Sequence, residues 1–200
     1  MDGDADAAGE ARIQIGWNKF RQLEPLLTNR DISLIRRGMP YSSCVRSSML
    51  HGSESRPVRK ENKVVLQRAE MRMVRWMCNV KAKDRVTSKE LRERLVIDDI
   101  ILILQQNRLR WYGHVLRKED TDWVKACMEY EVEGSSPRGR PKRTWTEVVQ
   151  KDCQASNLNK EDAMDHGRWK KLIKTGWWSG WWVGECFFWY WLTRVVPEGT

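Results

Sequence analysis

The chain has 200 residues, a formal charge of +9, and 32% charged against 40% apolar residues. That length holds one ordinary domain with a lean core, and the positive balance favours an anionic partner, a solvated basic surface being the alternative. Five scattered cysteines (Cys44, Cys78, Cys127, Cys153, Cys186) form no C-x-x-C, and the start MDGDADAAGEAR lacks an apolar leader core, so a disulfide-framed secreted scaffold is not expected. The expectation is an intracellular, nuclear protein with reduced thiols.

Residues 1–11 are acidic and poor in large apolar residues, and read as a disordered lead-in. Residues 12–60 form a first helical unit. Ile13, Trp17, Phe20, Leu23 and Leu27 recur at helical spacing, and Ile32, Ile35, Cys44, Val45 and Leu50 continue the pattern. Thr28 or Asn29 before Asp31 reads as the start of a second helix, and HGSESRPVRK (51–60) as a polar loop.

Residues 61–133 read as the central helical core. From Asn62 to Cys78, Leu66, Ala69, Met73, Trp76 and Met77 fall on one apolar stripe, while Arg68, Arg72 and Arg75 share another face. Thr87 with Glu90 is a capping box for a short helix containing Leu91 and Leu95. Asp98 or Asp99 opens the next helix, to about Leu116. It is apolar on two stripes, Ile101, Leu104, Trp111, Val115 and Leu102, Leu109, Leu116, which places it centrally. Asp122–Tyr130 is a shorter helix.

Residues 134–175 bring the basic loop GSSPRGRPKRTW and terminal helices. Pro141 suits a first helical position before Trp145, Val148, Val149 and Cys153, and Asn159 caps a last helix with Trp169, Leu172 and Ile173. No stretch reads as a strand, so the class is all-α, a small bundle of about six helices. The segment 176–200 differs in kind: six of the twelve Trp fall in its GWWSGWWVGECFFWYWL run. Its Gly, Ser and Glu residues and its Trp content argue against a spanning helix, so no membrane partner is expected. It reads as an irregular tail without function, in the manner of translated non-coding sequence.

The stretches DISLIRRGMPYSSCVRSSMLHGSE, LQRAEMRMVRWMCNV, KDRVTSKELRERL, NRLRWYGHVLR, PRGRPKRTW and GRWKKLIK follow one another between Arg12 and Lys174. In this order they resemble the thumb and post-thumb region of the reverse transcriptases of LINE-like (non-LTR) retrotransposons. The resemblance covers roughly four-fifths of the chain. It implies a segment that grips a template–primer duplex while an absent palm does the chemistry, beside an endonuclease elsewhere in the parent protein. Two departures stand out. A Gly-Ser-Glu-Thr-Trp run of the family is replaced by Gly52, Ser53, Glu54, Ser55 and Arg56. Asn79 and Val96 occupy positions where Gly commonly ends the helices.

Catalytic chemistry finds no footing. A polymerase needs paired carboxylates around two Mg²⁺ ions, on a tight hairpin after an aromatic residue. The near match Val96-Ile97-Asp98-Asp99 lacks the aromatic and precedes a helix, so both Asp serve better as helix caps. Glu119, Asp120, Asp122 and Lys125 read as a charged helix start. His51, His114 and His166 have no partners at zinc-ligand spacing. The expectations are therefore no catalytic residue, no metal ligand and no cofactor in this chain, Mg²⁺ belonging to the parent polymerase.

Binding chemistry is better represented. Arg68, Arg72 and Arg75 can lie along a duplex groove, with Leu66, Met73 and Trp76 anchoring the helix below; a solvated basic face is the alternative. Arg108, Arg110, Arg117 and Lys118 add charge around the central helix. Trp111 and Tyr112 are either stacking surfaces or core residues, and His114 either contacts phosphate or packs. Pro137-Arg138-Gly139-Arg140-Pro141 resembles an AT-hook core, in which two Arg flanking a Gly lie in a narrow A·T minor groove, or is a loop delivering Arg to phosphates. The expected contacts are Arg68, Arg72, Arg75, Arg138, Arg140, Lys142 and Arg143, and the expected partner an RNA–DNA hybrid or DNA duplex. The function read from these features is a truncated, catalytically inactive remnant of a retrotransposon RNA-directed DNA polymerase. The alternatives are a co-opted DNA-binding module or a translated pseudogene.

Overall fold

The computed structural model describes residues 3–56, 58–130 and 144–173. Every regular element among them is helical, so the all-α class follows directly from the 3.6-residue periodicities. Helix α1 runs Gly3–Leu27, α2 Leu34–Pro40 and α3 Ser47–Leu50, with a π-helical stretch Tyr41–Arg46 between the last two. Then come α4 (Lys60–Met77), α5 (Ser88–Leu95), α6 (Ile100–Leu116), α7 (Trp123–Glu129), α8 (Trp145–Ala155) and α9 (His166–Ile173). Among the described residues no helix is long and apolar enough to cross a membrane; the Trp-rich 176–200 segment lies outside them.

Helix α1 begins at Gly3, inside the acidic stretch that composition reads as a disordered lead-in. Four alanines between residues 5 and 11 favour helix, and acidic residues near its start suit the positive end of the helix dipole. The second helix starts later than Thr28 or Asn29. The Asn29 side chain accepts from the Asp31 N–H (2.9 Å), which holds a turn, and Ser33 becomes the cap by accepting from the Arg36 N–H. From Leu34 to Leu50 the chain is one interrupted rod. Pro40 supplies no N–H and its ring crowds the carbonyl four residues back, so the helix widens into the π turn that follows.

Two apolar cores share one axle. The larger holds Phe20 and Leu27 of α1, Tyr41, Val45 and Met49, Met73 and Met77 of α4, Leu91 and Leu95 of α5, and Ile100 and Leu104 of α6. The smaller gathers Leu109 and Leu116 of α6 with Val149 of α8, Leu158, and Trp169 and Ile173 of α9. Helix α6 serves both, its first half facing one core and its second half the other, while Leu102, read as part of the second apolar stripe, is 39% exposed.

Caps set most boundaries. Thr87 accepts from the Glu90 N–H at the start of α5, and Asp99 from the Ile101 N–H at the start of α6, both as the sequence indicates. At α8 the cap is Thr144, accepting from Glu147, so the helix opens at Trp145; Pro141 lies outside the described residues. The last helix is also divided. Asn159 donates its backbone N–H to Asp162, a short 3₁₀ turn Glu161–Ala163 follows, and Asp165 caps α9 by accepting from Gly167 and Arg168. Those two N–H groups hold the Asp165 carboxyl below the usual carboxylate range, the Arg168 bond being the larger cause.

Gly113 on α6 is a close-approach position. A Cβ there would fall on the Trp169 indole, whose N–H donates to the Leu109 carbonyl at 3.0 Å. The WYGHV and GRWKK stretches therefore meet as two halves of one packing lock. Asn79 and Val96 adopt φ of +53° each, the left-handed conformation expected where Gly ends a helix. Behind them, Val80 donates to Arg75 and Ile97 to Arg92 (both 3.0 Å), the long hydrogen bond that closes such caps.

Two stability changes follow. Val96 is β-branched at positive φ and half exposed, so Val96→Gly is expected to raise stability by up to about 1 kcal/mol, read by chemical denaturation. Gly113→Ala overpacks the smaller core and is expected to cost about 2 kcal/mol, with hydrogen-exchange protection lost first at 109–116 and 166–173.

Candidate nucleic-acid interface

Helix α4 is amphipathic in a way that separates its charges. Leu66, Ala69, Glu70, Met71, Met73, Val74 and Met77 are buried, while Arg68 and Arg72 are exposed and Arg75 half-buried. Arg68, Arg72 and Arg75 are spaced i, i+4, i+7, so they stand in one row along the outer face. None of the three guanidinium groups has an ion-pair partner among the described residues, whereas Arg46, Arg92, Arg94, Arg108 and Arg168 all do. The row rims an open groove of about 710 Å³, whose apolar lining includes Ile13 and Trp17 of α1 with Val64 and Val65 of α4.

The buried side of α4 fixes this face in place. Arg46, on the π turn, donates from Nε and Nη2 to Glu70 Oε1 at 2.9 and 2.6 Å, and from Nη2 to the Asp98 carbonyl at 2.6 Å. One guanidinium thus ties the π turn, the middle of α4 and the entrance of α6. Burial pushes the Glu70 carboxyl up, and the Arg46 charge and hydrogen bonds pull it back. Arg37 does similar work at helix ends. It donates to the Met77 carbonyl at 2.7 Å, the Leu27 carbonyl at 3.5 Å and the Ile32 carbonyl at 2.8 Å, neutralising the C-terminal ends of α4 and α1 together.

Trp76 departs from the sequence expectation. It is 45% exposed, lying with Phe20 at 5.4 Å and Trp17 at 6.5 Å between ring centroids, and does not anchor the core as Leu66 and Met73 do. It also lines a second cleft of about 380 Å³ with Thr28, Arg30, Leu34, Arg37, Cys78 and Asn79. The exposed aromatic could have been found from its spacing: Trp76 follows Arg72 by one turn, on the face the arginines occupy.

Charges expected around the central helix are largely engaged in structure. Arg108 is fully buried and donates to Asp152 at 2.7 Å, joining α6 to α8, and burial pulls its guanidinium down. Arg117 donates to the Ala163 carbonyl and Lys118 pairs with Asp122, which also caps α7. Lys125 pairs with Asp120, which completes the charged helix start read from the sequence. Tyr112 is half-buried, packed with Trp145 and Trp169 against the smaller core, while His114 is exposed beside Trp111. Arg138, Arg140, Lys142 and Arg143 lie outside the described residues, but Trp145, just after them, is pinned by its indole N–H to the Glu54 carbonyl at 2.8 Å.

Asp99 is occupied as a cap and as the partner of Arg92 at 2.7 Å, and Asp98 offers its carbonyl to Arg46. Among the described residues no group of three or more His, Cys, Asp or Glu is placed to hold a metal ion. Two thiols are held protonated: burial raises Cys78, and burial with the Asp152 charge pushes Cys153 up to about 11.

A double-mutant cycle tests the buried pair. Arg46→Met or Glu70→Leu alone is expected to cost about 3–5 kcal/mol, by stranding the other charge, while the double variant recovers most of that loss. No known protein family, curated protein or solved structure matches this chain.

Proposed function

We propose that this chain is a helical nucleic-acid-binding remnant of a retroelement RNA-directed DNA polymerase, catalytically inactive by itself, that works in the nucleus. The observation that carries the reading is the row of guanidinium groups, Arg68, Arg72 and Arg75, without ion-pair partners among the described residues, on the outer face of α4. Helix rise is about 1.5 Å per residue, so the row extends over roughly 10 Å. That is the axial reach of about three phosphates on one strand at ~3.4 Å each, so a single helix face meets a run of backbone charge. The Arg138, Arg140, Lys142 and Arg143 cluster supplies a second set of contacts in the same reading, from the connection between α7 and α8.

The partner is an RNA–DNA hybrid or a DNA duplex, recognised through its backbone. Catalysis by the chain alone is disfavoured because phosphoryl transfer needs two carboxylates aimed at one metal pair. The best sequence match, Asp98-Asp99, instead starts α6, with Asp99 held by Arg92 and the Ile101 N–H.

Fluorescence anisotropy of a labelled hybrid and an A·T-rich duplex, titrated with the full chain over a salt series, tests the proposal. Each of Arg68→Ala, Arg72→Ala and Arg75→Ala is expected to reduce the log-affinity against log-salt slope by about 0.9 while shifting stability by less than about 0.5 kcal/mol. Arg138→Ala with Arg140→Ala is expected to weaken binding to both duplexes. Unchanged slopes for the α4 variants would remove α4 from the interface.

A further inference from the structure

We propose that the cleft at the C-terminal end of α4 is a base-stacking site that takes an unpaired base of the strand whose phosphates follow Arg68, Arg72 and Arg75. This rests on the nucleic-acid reading above. The indole of Trp76 is the platform. It is braced from behind by Phe20, fully buried, and by Trp17, and its remaining surface lines the cleft. A large aromatic held half in solvent by two other aromatics has little conformational freedom to lose when a base stacks on it.

Helix geometry joins the platform to the basic row. Trp76 follows Arg72 by one helical turn at the edge of the basic row, and Asn79, just past the end of α4, lines the same cleft as Trp76. No carboxylate lines the cleft, and its one exposed cation is Arg30, since Arg37 is buried on the Met77, Leu27 and Ile32 carbonyls. A strand leaving the arginine row therefore meets no opposing charge at the cleft and one further cation at its rim.

Asn79 supplies the hydrogen-bonding element. Its left-handed φ of +53° is the conformation for which Gly is the usual residue, yet here the position bears an exposed amide beside the stacking surface. That amide offers both donors and an acceptor, as needed for the edge of a base freed from pairing. A base inside an intact duplex keeps its faces stacked on its neighbours, so the ligand is a single-stranded overhang or an opened duplex end.

The test compares a blunt RNA–DNA hybrid with the same hybrid carrying a single-stranded overhang, both titrated with the full chain. Wild-type protein is expected to bind the overhang form about tenfold more tightly. Trp76→Leu, which keeps apolar packing on Phe20, and Asn79→Gly, which suits the left-handed backbone, are each expected to lose most of that gain with blunt-hybrid affinity unchanged. If the overhang adds nothing, or both variants keep the gain, the stacking site is overturned while the basic row stands through its own salt slopes. If neither hybrid binds, the nucleic-acid reading and the stacking site fall together.

Discussion

The Arg46–Glu70 pair is the constraint on which the arrangement of the N-terminal helices depends. Taking two charges wholly out of water is costly, and their mutual attraction compensates only when geometry and further hydrogen bonds are good. Here one guanidinium meets a carboxylate through two bonds and caps the backbone at Asp98 with a third. The donor sits on a π turn, so the widening caused by Pro40 is also what places Arg46 against α4. Because Glu70 lies in the middle of α4, fixing it fixes which face of that helix is turned to solvent. The row of arginines is outward because a glutamate on the other side is held inward.

Arginine plays two roles in this fold, and burial separates them. Arg37, Arg46 and Arg108 are buried and each binds groups from more than one element or joins two helices. The planar, multi-donor heads of Arg37 and Arg46 suit this work better than an ammonium would, whereas Arg108 uses one donor on Asp152. Arg68 and Arg72 are exposed, without ion-pair partners among the described residues, on a helix whose packing needs neither. A net positive charge therefore overstates the surface available to an anion, since part of the basic content is internal scaffolding. Among the described residues, Arg68, Arg72 and Arg75 on α4 line the larger open groove.

Much of the local structure was legible in the residues. The Thr87 and Asp99 caps, the two-sided apolar character of α6 and the left-handed positions at Asn79 and Val96 each follow from interactions within a few residues. Where local reading went astray, a competing local bond decided the matter. Asn29 made a turn instead of a cap, and Asp165 took the capping role assigned to Asn159. The candidate site was half legible. The spacing of Arg68, Arg72 and Arg75 gave the basic face, but the same rule gave Trp76 to the core, because its place at the edge of the apolar stripe is ambiguous on a helical wheel.

By itself the sequence determined the helical class, the starts of α5, α6 and α7, the amphipathic division of α4 and the excess of positive charge. These depend on period, capping chemistry and composition, all of which act over a turn or two of helix. Only the tertiary structure decided which arginines are internal and which are available. Arg108 and Arg72 look equivalent in the chain; one is sealed against Asp152, 44 residues away, and the other faces water. The same holds for the meeting of Gly113 with Trp169 and of Arg46 with Glu70. Such pairings arise from packing between distant segments, where the cost of burying a charge or the space left by a missing Cβ is settled by a partner that no local pattern names.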